Sequence, residues 1–271
     1  FILTFAVSVY FVVRRRFGPT LALYSFALVA TFPPLYGNGK SVLGEVPALL
    51  FLTLSFICFQ WAQSASSEKR LKIPIILAGL FAGIAAAAKL SFLPFLAAFV
   101  VGLIVAWRRD RLPKSDFLLT VVFSALPVAV WLFTQYYSAD SWQNFFSFFV
   151  NPFGTISLLD LARTNLVNLL TETTAIYLVL MMIVWTMAVI IRWHRKEAIA
   201  PEEIMAYAFS VLTLLAYLRI VGWLRYLFPA QMVAMIYFMP SLNICVQWLN
   251  GKLGDWPKIT AVTGRVGLKV S

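Results

Sequence analysis

Charged side chains are scarce in this sequence. Only 12% of its 271 residues are Asp, Glu, Lys or Arg, and 61% are hydrophobic. Soluble domains have about 25% charged and ~45–50% apolar residues, so water is not the main solvent of this chain. The apolar residues form runs of about 17 to 25 that are separated by short charged stretches, which is the pattern of membrane-spanning helices.

The side chains that build metal and redox centres are also few, with one histidine and two cysteines. His194 stands among basic and aromatic residues at a predicted helix end, where it fits an interfacial anchor better than a metal ligand. Cys58 and Cys245 both lie within apolar runs, which argues against a disulfide framework or a CxxC site. A divalent metal is compatible with the sequence, but no cluster indicates one, and no cofactor is predicted.

Acidic residues number only 11 against 22 basic ones, which gives a net charge of +11. The basic residues form no stripe with interleaved aromatic residues, so nucleic acid is not the predicted partner. Instead, seventeen of them cluster after every second apolar run, and the positive-inside rule assigns those clusters to the cytoplasmic side. The clusters are Arg14–Arg16, Lys69 to Lys72, Arg108 to Lys114, Arg192 to Lys196, and Lys252 with the tail after it.

The sequence therefore predicts an all-α fold: a polytopic transmembrane helical bundle with about nine spans. Residues 1–250 form the membrane domain and residues 251–271 a cytoplasmic tail, in a protein that we expect in a bacterial cytoplasmic membrane. Because the chain opens inside an apolar run, an N-terminal span and a first outer loop are expected to be missing. The predicted spans are 1–13, 20–36, 44–62, 73–88, 91–107, 116–134, 171–191, 203–218 and 226–248.

One outer connection, about 135 to 170, is long. Within it, residues 141–150 are rich in Trp and Phe but too few to cross a bilayer. We predict an interfacial juxtamembrane helix there, lying on the outer leaflet.

A P-loop is excluded. Gly37 to Ser41 resembles the end of GxxxxGK[ST], but position 34, where the first glycine is required, is proline. Membrane helices flank the stretch, and the strand that a P-loop follows is not predicted.

The few charges on the outer side carry the functional information. The 16 residues from 73 to 88 rise only about 24 Å as a helix, less than a ~30 Å hydrocarbon core, so Lys89 lies at or just below the outer headgroups. Such a position is costly unless the ammonium faces an anion or a water-filled cavity. Arg219 and Arg225 flank the short turn between the last two predicted spans, where two guanidinium groups would bind phosphate with paired donors. The predicted substrate-binding residues are Lys40, Glu45, Lys89, Arg219, Arg225 and Tyr226.

Three stretches carry a family resemblance. They are Gly44 to Phe51 (GEVPALLF), Gly79 to Lys89 (GLFAGIAAAAK) and Arg225 to Ala230 (RYLFPA). In order and spacing they resemble polytopic GT-C-type glycosyltransferases, and more narrowly the bacterial relatives of protein O-mannosyltransferases and aminoarabinose transferases.

This resemblance implies transfer of a sugar from a polyprenyl-phosphate carrier to a protein, lipid or glycan acceptor outside the membrane. By similarity, Lys89 and Arg225 would contact the carrier phosphate and Glu45 would line the sugar or acceptor pocket. The family's catalytic base lies in the first outer loop, so the resemblance assigns no base in this chain, and Glu45 is the candidate that its residues offer.

Two other functions stay open. A secondary transporter or lipid flippase could use the same charges for an anionic substrate, although no internal repeat supports alternating access. A non-enzymatic membrane assembly protein is the third alternative.

Overall fold

A computed structural model describes residues 1–40, 44–64, 72–136, 138, 142–143, 157–219 and 224–252. These residues form α-helices, two short 3-10 helices and connections, without a β-strand, which confirms the predicted all-α class. The 3-10 helices are Leu90–Phe92 and Leu224–Leu227. The α-helices are α1 (Ile2–Phe17), α2 (Pro19–Ala30), α3 (Pro33–Lys40), α4 (Glu45–Ser64), α5 (Lys72–Ala88), α6 (Leu93–Arg108), α7 (Lys114–Gln135), α8 (Leu158–Thr171), α9 (Thr173–His194), α10 (Pro201–Tyr217) and α11 (Phe228–Lys252).

Each of the nine predicted apolar runs overlaps one of the helices α1, α2, α4 to α7 and α9 to α11, and the count of nine spans stays a prediction. The prediction of one continuous span over 20–36 is wrong in detail. Helix α2 ends at Ala30 and α3 begins at Pro33, so the run is broken at Thr31 and Phe32. Proline disfavours helical backbone in the residue before it, and Pro33 and Pro34 follow each other here.

Four helices in the described part of the chain are long and apolar enough to cross a bilayer unaided: α4, α7, α9 and α11. Helix α7 leaves most of its surface uncovered by protein, including Leu118, Val122 and Phe133. A long apolar helix with little protein around it is stable in lipid rather than in water. The chain is therefore an integral membrane protein.

Side-chain contacts sort the helix ends into two groups. At one end, Arg16 of α1 meets Glu202 of α10, and Arg15 bonds to Ser64 at the end of α4. At the other end, Asn165 of α8 donates to the carbonyl oxygen of Tyr217, where α10 ends. We call the first group of helix ends the basic end of the bundle and the second group the opposite end. The chain passes from one end to the other and back, which is the up-and-down order that membrane-spanning helices require.

Helix α5 packs tightly between α4 and α7 because of two glycines one turn apart, Gly79 and Gly83. A Cβ at Gly79 would overlap the carbonyl oxygen of Thr120, and one at Gly83 the carbonyl oxygen of Ser124 and the ring of Pro127. Small residues spaced by four let membrane helices approach to backbone contact. The glycines of the second family-like stretch thus have a packing role.

Small hydroxyl side chains join the helices between their ends. Ser8 of α1 and Thr53 of α4 lie 2.5 Å apart, and Ser55 donates to the carbonyl oxygen of Ala78 in α5 at 2.7 Å. Ser25 of α2 donates to the carbonyl oxygen of Ile236 in α11 at 3.0 Å. In an apolar medium such bonds between helices contribute about 0.6 kcal/mol each on average, with ~1–2 in model peptides.

The long connection contains a helix that the sequence analysis missed. Helix α8 is amphipathic: Leu161 and Asn165 are buried, whereas Leu159, Leu166 and Leu170 are exposed. The predicted interfacial helix at 141–150 falls almost wholly outside the described residues. Of that segment, the described Trp142 packs its ring 5.7 Å from that of Tyr136, after the end of α7.

Two adjacent buried carboxylates tie the basic end together. Glu202 accepts from Arg16 at 2.7 Å and from Gln60 of α4 at 3.1 Å. Glu203 accepts from Arg192 of α9 at 2.7 Å, and the indole of Trp185 lies 3.4 Å from it. Each carboxylate is therefore neutralised by an arginine from a different helix, and α10 is held to α1, α4 and α9 at once.

Removal of Arg192 is expected to destabilise the fold strongly. Arg192→Met leaves the carboxyl group of Glu203, which is 4% exposed, without its cation. Breaking a buried pair in this way costs about 3–5 kcal/mol, whereas replacing both partners by apolar residues can be nearly neutral. Unfolding in detergent micelles should show a large loss for Arg192→Met and substantial recovery in the double variant Arg192→Met/Glu203→Met.

Arg195→Met is the matched control, because Arg195 is exposed and its nearest acidic partner, Glu197, is half exposed at 3.8 Å. Such surface pairs contribute about 0–1 kcal/mol. Equal unfolding of Arg192→Met and Arg195→Met would contradict a stabilising role for the buried pair.

Candidate functional site

Glu45 is the first residue of α4 and lies at the opposite end of the bundle. A carboxylate in the first turn is favoured by the helix dipole. Glu45 is nevertheless only 2% exposed, which is uncommon for a glutamate that only caps a helix.

Gly44 brings this helix start onto the end of α5. Its φ of +78° lies in the left-handed region that favours glycine. A Cβ at this position would lie 2.7 Å from the carbonyl oxygen of Ala88, the last residue of α5. Only glycine fits both the backbone angle and the approach, so Gly44 sets Glu45 beside the residue that follows Ala88.

That residue is Lys89, whose ammonium nitrogen lies 2.7 Å from Glu45 Oε1. The Lys89 side chain keeps 20% exposure while Glu45 is nearly closed off. Glu45 Oε2 is buried and has no hydrogen-bond partner within the described part of the chain. Glu45 is thus the buried acceptor of the pair, and Lys89 is its partly exposed cation.

The predicted arginines follow α10 at the same end. Arg219 is exposed directly after α10. Arg225 is exposed in the 3-10 helix before α11, with its guanidinium carbon 5.5 Å from the centre of the Tyr226 ring. Tyr226 is half-buried against the core, so it anchors a turn that presents Arg225 outward.

The structure therefore joins Glu45 to Lys89 and Arg225 to Tyr226, and it sets both pairs at one end of the bundle. Lys40 is the last residue of α3, at the same end, and its side chain is outside the described residues. The remaining stretch between the arginines, residues 220–223, is also outside them. Residues 37–40 belong to helix α3, and Ser41 is outside the described residues, so the exclusion of a P-loop stays a prediction.

A carboxylate paired with an ammonium can perform two tasks beside a phosphate. The ammonium is a compact cation that binds phosphate oxygens as a point charge. The carboxylate fixes the ammonium and offers an acceptor for a hydroxyl group. Among the described residues, no three His, Cys, Asp or Glu side chains lie close enough to hold a metal ion.

Sequence reasoning missed two features of this architecture. It treated Glu45 and Lys89 as two independent substrate contacts, because the sequence does not indicate that the start of α4 lies beside the end of α5. It also passed over Glu202 and Glu203, although two acids at the start of a span on the basic side are themselves a signal that arginines lie nearby.

A family model described as dolichyl-phosphate-mannose-protein mannosyltransferase matches residues 1–145. This stretch covers α1 to α7 and contains Gly44, Glu45, the two α5 glycines and Lys89. No curated protein and no solved structure matches the chain. Members of the matched family are glycosyltransferases that take sugar from a polyprenyl-phosphate donor. With more than half of its residues covered, this chain belongs to the dolichyl-phosphate-mannose-protein mannosyltransferase family.

Proposed function

We propose that this chain transfers a sugar from a polyprenyl-phosphate carrier to an acceptor on the outer side of the membrane, with Lys89 at the carrier phosphate. The observation that supports this proposal most directly is the Glu45–Lys89 ion pair at 2.7 Å. The pair lies within the family-matched stretch and at the opposite end of the bundle, away from the basic clusters. The positive-inside rule makes that end the outer one.

The reaction is a direct displacement at the anomeric carbon of the sugar. A nucleophilic atom of the acceptor forms the new bond as the bond from the anomeric carbon to the phosphate oxygen breaks. The phosphate leaves with that electron pair, and its growing charge is stabilised by the Lys89 ammonium. The acceptor's proton passes to a base that is not assigned to any residue here.

Glu45 positions Lys89 in this proposal. Its buried carboxylate holds the ammonium at a fixed depth, so the cation is in place before the carrier arrives and little reorganisation is needed. Gly44 contributes by its close approach to Ala88. The second acceptor atom, Glu45 Oε2, can receive a hydrogen bond from a sugar or acceptor hydroxyl.

Arg225 and Arg219 are proposed as a second phosphate contact. Both are exposed at the same end as Lys89, and the Tyr226 ring supports the Arg225 guanidinium. Lys40 is proposed as a further cation at the rim of this site.

Arg225→Ala is expected to lower transfer by about 10²-fold or more, the usual loss when one charge-stabilising donor is removed. The assay is transfer of labelled sugar from a polyprenyl-phosphate donor in proteoliposomes, with protein expressed from its complete gene. Because Arg225 is exposed, membrane insertion and unfolding should be unchanged. Arg163→Ala is the matched control, since Arg163 is also exposed at the opposite end, on α8. Equal rates in both variants would remove Arg225 from the site.

The same proteoliposomes distinguish an enzyme from a transporter or flippase. Sugar incorporation into the acceptor without accumulation of labelled solute or carrier inside the vesicles supports the transferase. Accumulation without incorporation supports alternating access instead, and would overturn the proposal.

A further inference from the structure

A groove lies between α1 and α4 at the basic end, remote from the Glu45–Lys89 pair. It has a volume of about 400 Å³ and is lined by Phe11, Arg14, Arg15, Ile57 and Gln60. Gln60 is fifteen residues along α4 from Glu45, which corresponds to about 22 Å of helix. A phosphate bound at Arg14 and Arg15 therefore cannot lie at Lys89 at the same time.

The lining of the groove changes character along the helix axis. Phe11 and Ile57 form an apolar wall within the predicted membrane depth, and Phe11 is 49% exposed. One turn further along α1, Arg14 and Arg15 stand at its mouth, where the apolar run of α1 ends. A wall for hydrocarbon below a pair of cations matches the two parts of one phospholipid: acyl chain and phosphate.

Among the described residues, no acidic side chain forms an ion pair with the arginines at the mouth. Arg14 lies over the ring of Tyr10, with 5.8 Å from its guanidinium carbon to the ring centre, and Arg15 donates to the hydroxyl of Ser64. Within the described residues neither arginine has a carboxylate within 4 Å, whereas the nearby acid, Glu202, is already paired with Arg16. The groove thus carries two cations for an external anion.

From this geometry we propose that the α1–α4 groove binds one anionic phospholipid of the leaflet at the basic end. Its phosphate would lie against Arg14 and Arg15 and its chain along Phe11 and Ile57. Basic pockets between membrane helices bind anionic lipid headgroups in this way. A zwitterionic lipid fits the apolar wall equally well but loses the net charge attraction, so headgroup charge decides the selectivity.

Native mass spectrometry of the purified full chain, titrated separately with phosphatidylglycerol and phosphatidylcholine of identical chains, tests the proposal. The expected result is one phosphatidylglycerol bound at least 10-fold more tightly than phosphatidylcholine. Arg14→Gln/Arg15→Gln should abolish this preference, whereas Arg108→Gln/Lys114→Gln, which removes two exposed cations of the same end, should retain it. Equal binding of the two lipids, or equal loss in both double variants, would overturn it.

One further variant tests the apolar wall of the groove. Ile57→Trp fills the groove without changing charge and should also remove the tight lipid, with the unfolding midpoint serving as the folding control. Displacement of phosphatidylglycerol by polyprenyl phosphate at equimolar concentration would contradict the phospholipid assignment.

Discussion

Lys89→Gln is expected to lower the rate of sugar transfer by about 10²–10³-fold, because it removes a cation from the oxygen that gains charge as the carrier phosphate leaves. The substitution also leaves the Glu45 carboxylate, which is 2% exposed, without its 2.7 Å partner. Some loss of stability is therefore expected as well, and the activity must be measured on folded protein.

The double variant Glu45→Gln/Lys89→Gln separates the two effects. Both charges are gone, so no unpaired charge is buried and stability should largely recover, while transfer should stay as low as in Lys89→Gln. Lys114→Gln, at an exposed lysine of the basic end, is the control for loss of one positive charge. Recovery of transfer together with stability in the double variant would show that the pair is structural only.

Gly83→Leu is expected to destabilise the bundle by about 3 kcal/mol or more, at the upper limit of ordinary overpacking. The new side chain would occupy the position of the Ser124 carbonyl oxygen and the Pro127 ring of α7. Neither is the end of a flexible side chain, so α5 and α7 would have to separate. The loss should appear as a lower yield of monodisperse protein and a lower unfolding midpoint in detergent.

Gly37→Leu provides the matched control, because a Cβ at Gly37 in α3 meets nothing within 4 Å. It should unfold like the wild type. A Gly83→Leu protein that is as stable as Gly37→Leu would disprove the close approach of α5 and α7.

The positions of the apolar helices could be predicted from the sequence because hydrocarbon imposes a length and a composition on each membrane helix. Hydropathy does not report where a run breaks, so the interruption between α2 and α3 was missed. Amphipathic α8 was missed for a related reason: its polar residues, among them Asp160 and Asn165, lower the mean hydropathy of a helix with a continuous apolar face.

For the site, too, features that depend on the local sequence could be predicted, whereas contacts that depend on helix packing could not. Lys89 was singled out from its depth, since a cation near the end of a short apolar helix is costly without a partner, and from the family resemblance. Its partner was not predicted, because the meeting of Glu45 and Lys89 depends on the backbone angle at Gly44 and on the contact with Ala88. The buried pairs of Glu202 and Glu203 likewise depend on which arginines the packed helices bring to them.

We propose that a polyprenyl-phosphate sugar is consumed at the Glu45–Lys89 end of the bundle. The most direct test of this proposal is transfer of labelled sugar from that donor to acceptor in proteoliposomes, comparing protein expressed from its complete gene with its Glu45→Gln/Lys89→Gln variant. We predict incorporation by the wild type and at least a 10²-fold lower rate for an equally folded variant. Equal incorporation by both proteins would contradict the proposed site, and no incorporation by folded wild-type protein would contradict the proposed reaction.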